Sequence, residues 1–167
     1  IKEQLGVDMG SATALRLSEI PVPVLRERMN HIDQLNKAGT LLIGYRDLTE
    51  EDRSRGIRIE LVRPDILVPR PETIEANLDI YGREGIRYYG EGVPLNRSDG
   101  LLASTERLKA NVKYLKSKLG LDIADAGDLL AKNTETLEDA AIAIAKSPTA
   151  LTIDTLRTYA SKIKPEK

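Results

Sequence analysis

The stretch from Ile57 to Tyr81, IRIELVRPDILVPRPETIEANLDIY, constrains the fold more than any other part of this chain. Ile57, Ile59 and Leu61 alternate with Arg58 and Glu60, the period-two pattern of a half-buried strand. Pro64, Pro69 and Pro71 then forbid continued pairing, because a proline has no backbone N–H to give to a ladder. From Glu72 the spacing turns helical, with Ile74, Leu78 and Tyr81 on one face. A single strand between helices leaves its N–H and C=O groups without partners. Its mate must therefore lie elsewhere in the chain or on a second copy. The pattern points to a part of an assembly rather than to an enzyme.

The remaining periodicities are helical. Residues 11–18 predict a short helix capped by Ser11, and Pro21 and Pro23 interrupt it. Pro23 suits the first turn of a longer helix, where its missing N–H costs nothing. Leu25, Met29, Ile32 and Leu35 follow at helical spacing, with Leu42 further along. Residues 46–56 read as a charged connection. Gly82, Gly85, Gly90, Gly92, Pro94 and Gly100 mark a long loop or irregular hairpin. Beyond it, Leu101, Leu108, Val112, Leu115 and Leu119 form an apolar stripe that ends at Gly120, a C-terminal cap. Ile123 to Lys132 predicts a shorter helix. Asn133 or Thr134 caps the next, with Leu137, Ala140, Ala141 and Ile144 facing inward. Thr152 opens the last, carrying Ile153, Leu156, Ala160 and Ile163. No internal repeat of fixed period is evident. The expected fold is mainly α with one or two short β-strands. A stem-like helix and a strand–helix unit fill 1–82, a Gly/Pro-rich connection fills 83–100, and a helical bundle fills 101–167.

Composition removes most chemistry. The chain has no cysteine, which excludes disulfides, thiolate metal sites and cysteine nucleophiles. Its one histidine, His31, sits in a predicted helix, where a solvated or hydrogen-bonded role is the plain reading. No H-E-x-x-H, G-x-S-x-G or phosphate-cradling glycine loop occurs. The densest carboxylates, Glu50, Glu51 and Asp52, stand beside Arg46, Arg53 and Arg55, as in a solvated salt-bridging loop. We therefore expect no enzyme, no cofactor and no metal. No run approaches the about 20 apolar residues of a membrane span, so no membrane partner is expected. With six Tyr and neither Phe nor Trp, the core must be built from Leu, Ile, Val and Ala.

The net charge of −1 gives no general attraction for nucleic acid, so any such contact must be local. Arg107, Lys109, Lys113, Lys116 and Lys118 crowd the 101–119 helix. Lys109, Lys113 and Lys116 share one side and are the candidate nucleic-acid-facing residues. The alternative is an ordinary solvated helix face. Tyr114 alone is too little for a stacking platform.

The order of features resembles the C-terminal part of tailed-bacteriophage portal proteins. Ser11-Ala12-Thr13-Ala14-Leu15 is similar to that family's lead-in, although Ala12 stands where glycine is usual, and 24–42 resembles its long helix. Ile57 to Val62 with Arg63-Pro64-Asp65 resembles the strand and turn, and Pro71 to Tyr81 the following helix. The likeness covers residues 5–82. It implies a non-catalytic structural subunit of a homo-oligomeric ring, assembled in the host cytoplasm and present in the virion. Double-stranded DNA would pass through without sequence specificity, driven by a separate packaging motor, and other head–tail proteins would bind the ring. On that reading Leu25, Met29 and Ile32 are the oligomer interface, and the helices after 100 are crown-like. The alternative is a helical adaptor or scaffold module that binds a partner protein.

Overall fold

The computed structural model describes residues 11–37, 64–88 and 93–163. The expected strand at 57–62, the connection at 46–56 and Leu42 lie outside them. Every regular element among the described residues is helical. In chain order these are α1 (Ser11–Ser18), α2 (Val22–Lys37), a 3-10 turn (Pro64–Leu67), α3 (Pro71–Glu84), a 3-10 segment (Leu95–Leu102) and α4 (Thr105–Val112). A π turn (Lys113–Lys118) continues α4, and a 3-10 turn (Leu129–Ala131), α5 (Thr134–Ala145) and α6 (Ile153–Lys162) follow.

Helix α2 begins where Pro23 can sit in the first turn, and it buries Leu25 and Ile32 with Met29 and Leu35 packed beside them. Arg28 donates from the same helix to the carbonyls of Leu67 (2.9 Å) and Val68 (2.8 Å). That guanidinium fastens α2 to the turn that leads into α3. Pro71 occupies the first position of α3, as its fixed φ favours. Gly85 ends the helix at φ +66°, and Ile86 N–H reaches back to the Tyr81 carbonyl at 2.9 Å.

Three helices are built alike. Counted from the first residue of α3, α4 and α5, the fourth position is Ile74, Leu108 or Leu137, and the eleventh is Tyr81, Leu115 (in the π turn that continues α4) or Ile144; all six are buried. The seventh is Asn77, Asn111 or Ala140, also buried. Gly120 ends the second unit at φ +66°, as Gly85 ends the first. The stretch from Thr105 to Gly120 is one residue longer than that from Pro71 to Gly85. The π turn takes up the surplus: Leu121 N–H reaches Leu115, six residues back, where Ile86 reaches five.

These helices run parallel. Thr105, at the start of α4, bonds Asn77 midway along α3, whereas Lys116, in the π turn that continues α4, pairs with Glu84 at the end of α3. Asn111 likewise meets Thr134 at the start of α5. Irregular segments carry the chain back between them, and the closest packing joins neighbours in chain order. That is the organisation of a short helical array. A continuous apolar core runs from Leu17 to Ala160.

Two expectations are corrected. Leu101 belongs to the 3-10 segment, because Ser104 caps α4 by accepting from Arg107 N–H (3.2 Å). The helix expected over Ile123 to Lys132 shrinks to Leu129–Ala131. Its backbone groups are engaged elsewhere: Ala124 N–H donates to the Asp122 carboxylate (3.0 Å), and the Ala124 carbonyl accepts from Arg87 N–H (2.8 Å).

Candidate binding groove

The site rests on two buried asparagines that set the spacing of the helices. Asn77 donates both amide hydrogens to the carbonyls of Leu101 (2.9 Å) and Ala103 (2.7 Å), and its oxygen accepts from the Thr105 hydroxyl (2.9 Å). Asn111 repeats the arrangement one unit on, with Leu130 (2.9 Å), Lys132 (2.7 Å) and Thr134 (2.7 Å). Each amide is fully satisfied at zero exposure, so it locks the turn before the next helix at one height. In α5 the equivalent residue is Ala140. Thr152 and Thr155 cap α6 by their own reciprocal bonds instead.

With α3 and α4 held in parallel, a groove opens along the outer face of α3. It comprises two adjoining cavities, of about 720 and 500 Å³, that share Ala76 and Thr105. At the α2 end its walls carry Glu27, His31, Arg70 and Glu72. At the α4 end they carry Asp79, Arg83 and Lys109. His31 Nε2 contacts the Glu75 carboxylate, tying α2 to α3 across the floor. The His31 ring is one-third exposed and its partner is a carboxylate. Among the described residues no cluster of three or more His, Asp or Glu side chains is arranged to hold a metal.

A buried ion cluster links the Leu95–Leu102 segment to α6. Asp128, 9% exposed, holds Arg157 Nε at 2.7 Å and faces Arg97 Nη1 at 2.8 Å. The Arg97 contact is one of charge, since that nitrogen makes no aligned hydrogen bond. Burial alone would lower the Arg157 pKa; the hydrogen bonds and charges of Asp128 and then Asp154 outweigh it and leave it raised. Burial first, and the Glu138 charge second, raise the Tyr114 hydroxyl above its ordinary 10.0.

The structure separates the residues singled out from the sequence. Lys109, Lys113 and Lys116 are all exposed, and Lys116 Nζ pairs with Glu84 at 2.6 Å. Leu25 (4% exposed) and Ile32 (0%) lie within the chain's own core, and Met29 packs partly buried against it. Helix α3 and the 64–67 turn pack on α2, so the burial of this stripe is accounted for within one chain.

Asn77, Asn111 and Asp128 had no part in the sequence reading. The signal for the asparagines is the pair of strings Glu72-Thr73-Ile74-Glu75-Ala76-Asn77 and Glu106-Arg107-Leu108-Lys109-Ala110-Asn111. Thr105 follows Asn77 by 28 residues, but Thr134 follows Asn111 by 23. A search for a fixed period misses a repeat of that kind. No family model matches the chain, nor does any curated protein or solved structure.

Proposed function

We propose that this chain is a non-catalytic binding module, a short array of helical units that offers the α3 groove to a partner. One observation carries the reading: the Asn77 clamp joins α3 to α4 where Ala76 and Thr105 are shared by the two halves of the groove. Arrays of this kind work by presenting an extended, preformed surface. Among the described residues no three His, Asp or Glu side chains are arranged to hold a metal, and the His31–Glu75 pair joins α2 to α3 beside the groove. This reading supports a scaffold or adaptor role.

A second reading, a subunit of a phage portal ring that conducts DNA and meets the packaging motor in a virion, draws its support from the sequence resemblance over residues 5–82. Helix α2, Val22–Lys37, overlaps the stretch 24–42 that resembles the portal's long helix. Native mass by light scattering separates the two. A monomer or dimer is expected for the module, and a closed ring of many copies would reject it in favour of the portal subunit. Leu25→Asp and Ile32→Asp sharpen the comparison: the module unfolds, because both positions are core, whereas a portal stem interface predicts folded chains that no longer close a ring.

A further inference from the structure

We propose that the partner of this module is a polyanion, the sugar–phosphate backbone of nucleic acid, which follows a basic row that starts at Arg83 and Lys109 on the groove wall and runs on to Lys113 and Lys116 beyond it. The proposal rests on the binding-module reading and names the chemistry of its ligand. The basis is an imbalance of charge between adjacent helices. The run from Thr105 to Lys118 carries Arg107, Lys109, Lys113, Lys116 and Lys118 against one acid, Glu106. Its neighbours are the reverse: α3 carries Glu72, Glu75, Asp79 and Glu84 against Arg83, and α5 carries Glu135, Glu138 and Asp139 with no base.

If the basic helix served only to neutralise its neighbours, its cations would be paired with them. Among the described residues just one is, Lys116 with Glu84, and that lysine is more than half exposed. A pair of this kind contributes little and yields readily to a competing anion. Arg83 and Lys109 share the wall of the same cavity, and Lys113 continues the row one turn along. All four side chains face solvent, so their amines and guanidinium are available without unfolding anything. The net charge of the whole chain is −1, so attraction for an anion exists along this row and not over the surface at large.

The same surface says how the ligand is read. Tyr114 is half-buried and near Glu138, on the side of α5, so it gives no stacking face to the lysine row. Contacts are thus to phosphates, which position a strand without reading its sequence. Three or four phosphate contacts on duplex DNA give a slope of log affinity against log salt of about −3 to −4.

The test is fluorescence anisotropy of a labelled random-sequence duplex, titrated with the protein at several potassium chloride concentrations. The triple variant Lys109→Gln, Lys113→Gln and Lys116→Gln is expected to weaken binding roughly tenfold or more and to flatten the salt slope. The charge-matched control Arg26→Gln, Lys146→Gln and Lys162→Gln, at exposed positions on α2, after α5 and on α6, should retain both. Thermal melts establish that each variant is folded. No binding at low salt, equal weakening by the control, or displacement of the duplex by polyglutamate at equal charge would each overturn the proposal. The native mass of the same sample keeps the two conclusions apart. A monomer indifferent to DNA removes the polyanion and leaves the module, whereas a closed ring removes the module itself.

Discussion

Replacing Asn111 by alanine should unfold the array from its centre. The side chain is fully buried and makes three hydrogen bonds, two to the carbonyls of Leu130 and Lys132 and one from the Thr134 hydroxyl. Alanine removes all three and leaves those groups facing a small cavity. At about 1 kcal/mol for each net bond, with a further penalty for buried polar atoms left without partners, the loss is about 3–5 kcal/mol. That is a large part of the stability of an ordinary domain, about 5–15 kcal/mol. Thr134→Val removes one bond and preserves shape, so it should cost only about 1 kcal/mol. Asn111→Asp should be worse than alanine at neutral pH, because a carboxylate would confront two carbonyl oxygens. Urea unfolding followed by far-UV circular dichroism gives the magnitudes, and hydrogen exchange gives the place. Amides between 129 and 145 should lose protection before those of 71–84. If Asn111→Ala cost no more than a surface substitution, within about 0.5 kcal/mol, the clamp would not be what aligns α4 with α5.

Three further outcomes follow from the packing. Asp128→Ala leaves Arg97 and Arg157, 13% and 22% exposed, facing each other without their shared anion; a loss of about 3–5 kcal/mol is expected in urea titrations. A Cβ on Gly127 would lie 1.8 Å from the Arg97 carbonyl oxygen, so Gly127→Ala should abolish cooperative folding, whereas Gly82→Ala, exposed within α3 with nothing within 4 Å, should add about 1 kcal/mol. Tyrosinate absorbance should show Tyr114 ionising above 10.0, and Glu138→Gln should bring it down. Because the folded state holds that proton more tightly, the contribution is complete below the unfolded tyrosine value and is lost as pH rises through the folded one.

The sequence showed most of the helices through apolar spacing and few of the features that join them. Pro23, Gly120 and Thr152 announce helix ends through local chemistry, and α2, the end of the α4 run and α6 fall where those residues place them, whereas Ser11, expected as the cap of α1, is its first helical residue. Leu101 misled because its spacing from Leu108 is helical, yet its burial comes from a 3-10 segment that crosses α3. Asn77 and Asn111 read as ordinary polar residues among charged ones. Their role depends on carbonyls 19 to 26 residues away, beyond the reach of any local pattern. The lysine row was legible as a helical face, but the scarcity of its ion pairs was not, since pairing depends on which helix lies alongside. The stripe at Leu25, Met29 and Ile32 was found as an apolar face; what covers it was not written in its own spacing.

Parallel helices carry an electrical consequence that an up-and-down bundle escapes. In such a bundle neighbouring backbone dipoles cancel, but in α3, α4 and α5 they point the same way, each equivalent to roughly half a charge at either end. Side by side they repel, and their moments add. The second residue of each helix is glutamate, Glu72, Glu106 and Glu135, and Arg83, Lys116 and Lys118 lie near the opposite ends of the first two. The side chains thus form a counter-moment laid against that of the backbone. Substituting the three glutamates by glutamine would strip this compensation from one edge only. The protein would then turn in an applied field as a permanent dipole, and it would approach any charged surface with its helix starts or its helix ends foremost according to the sign of that surface.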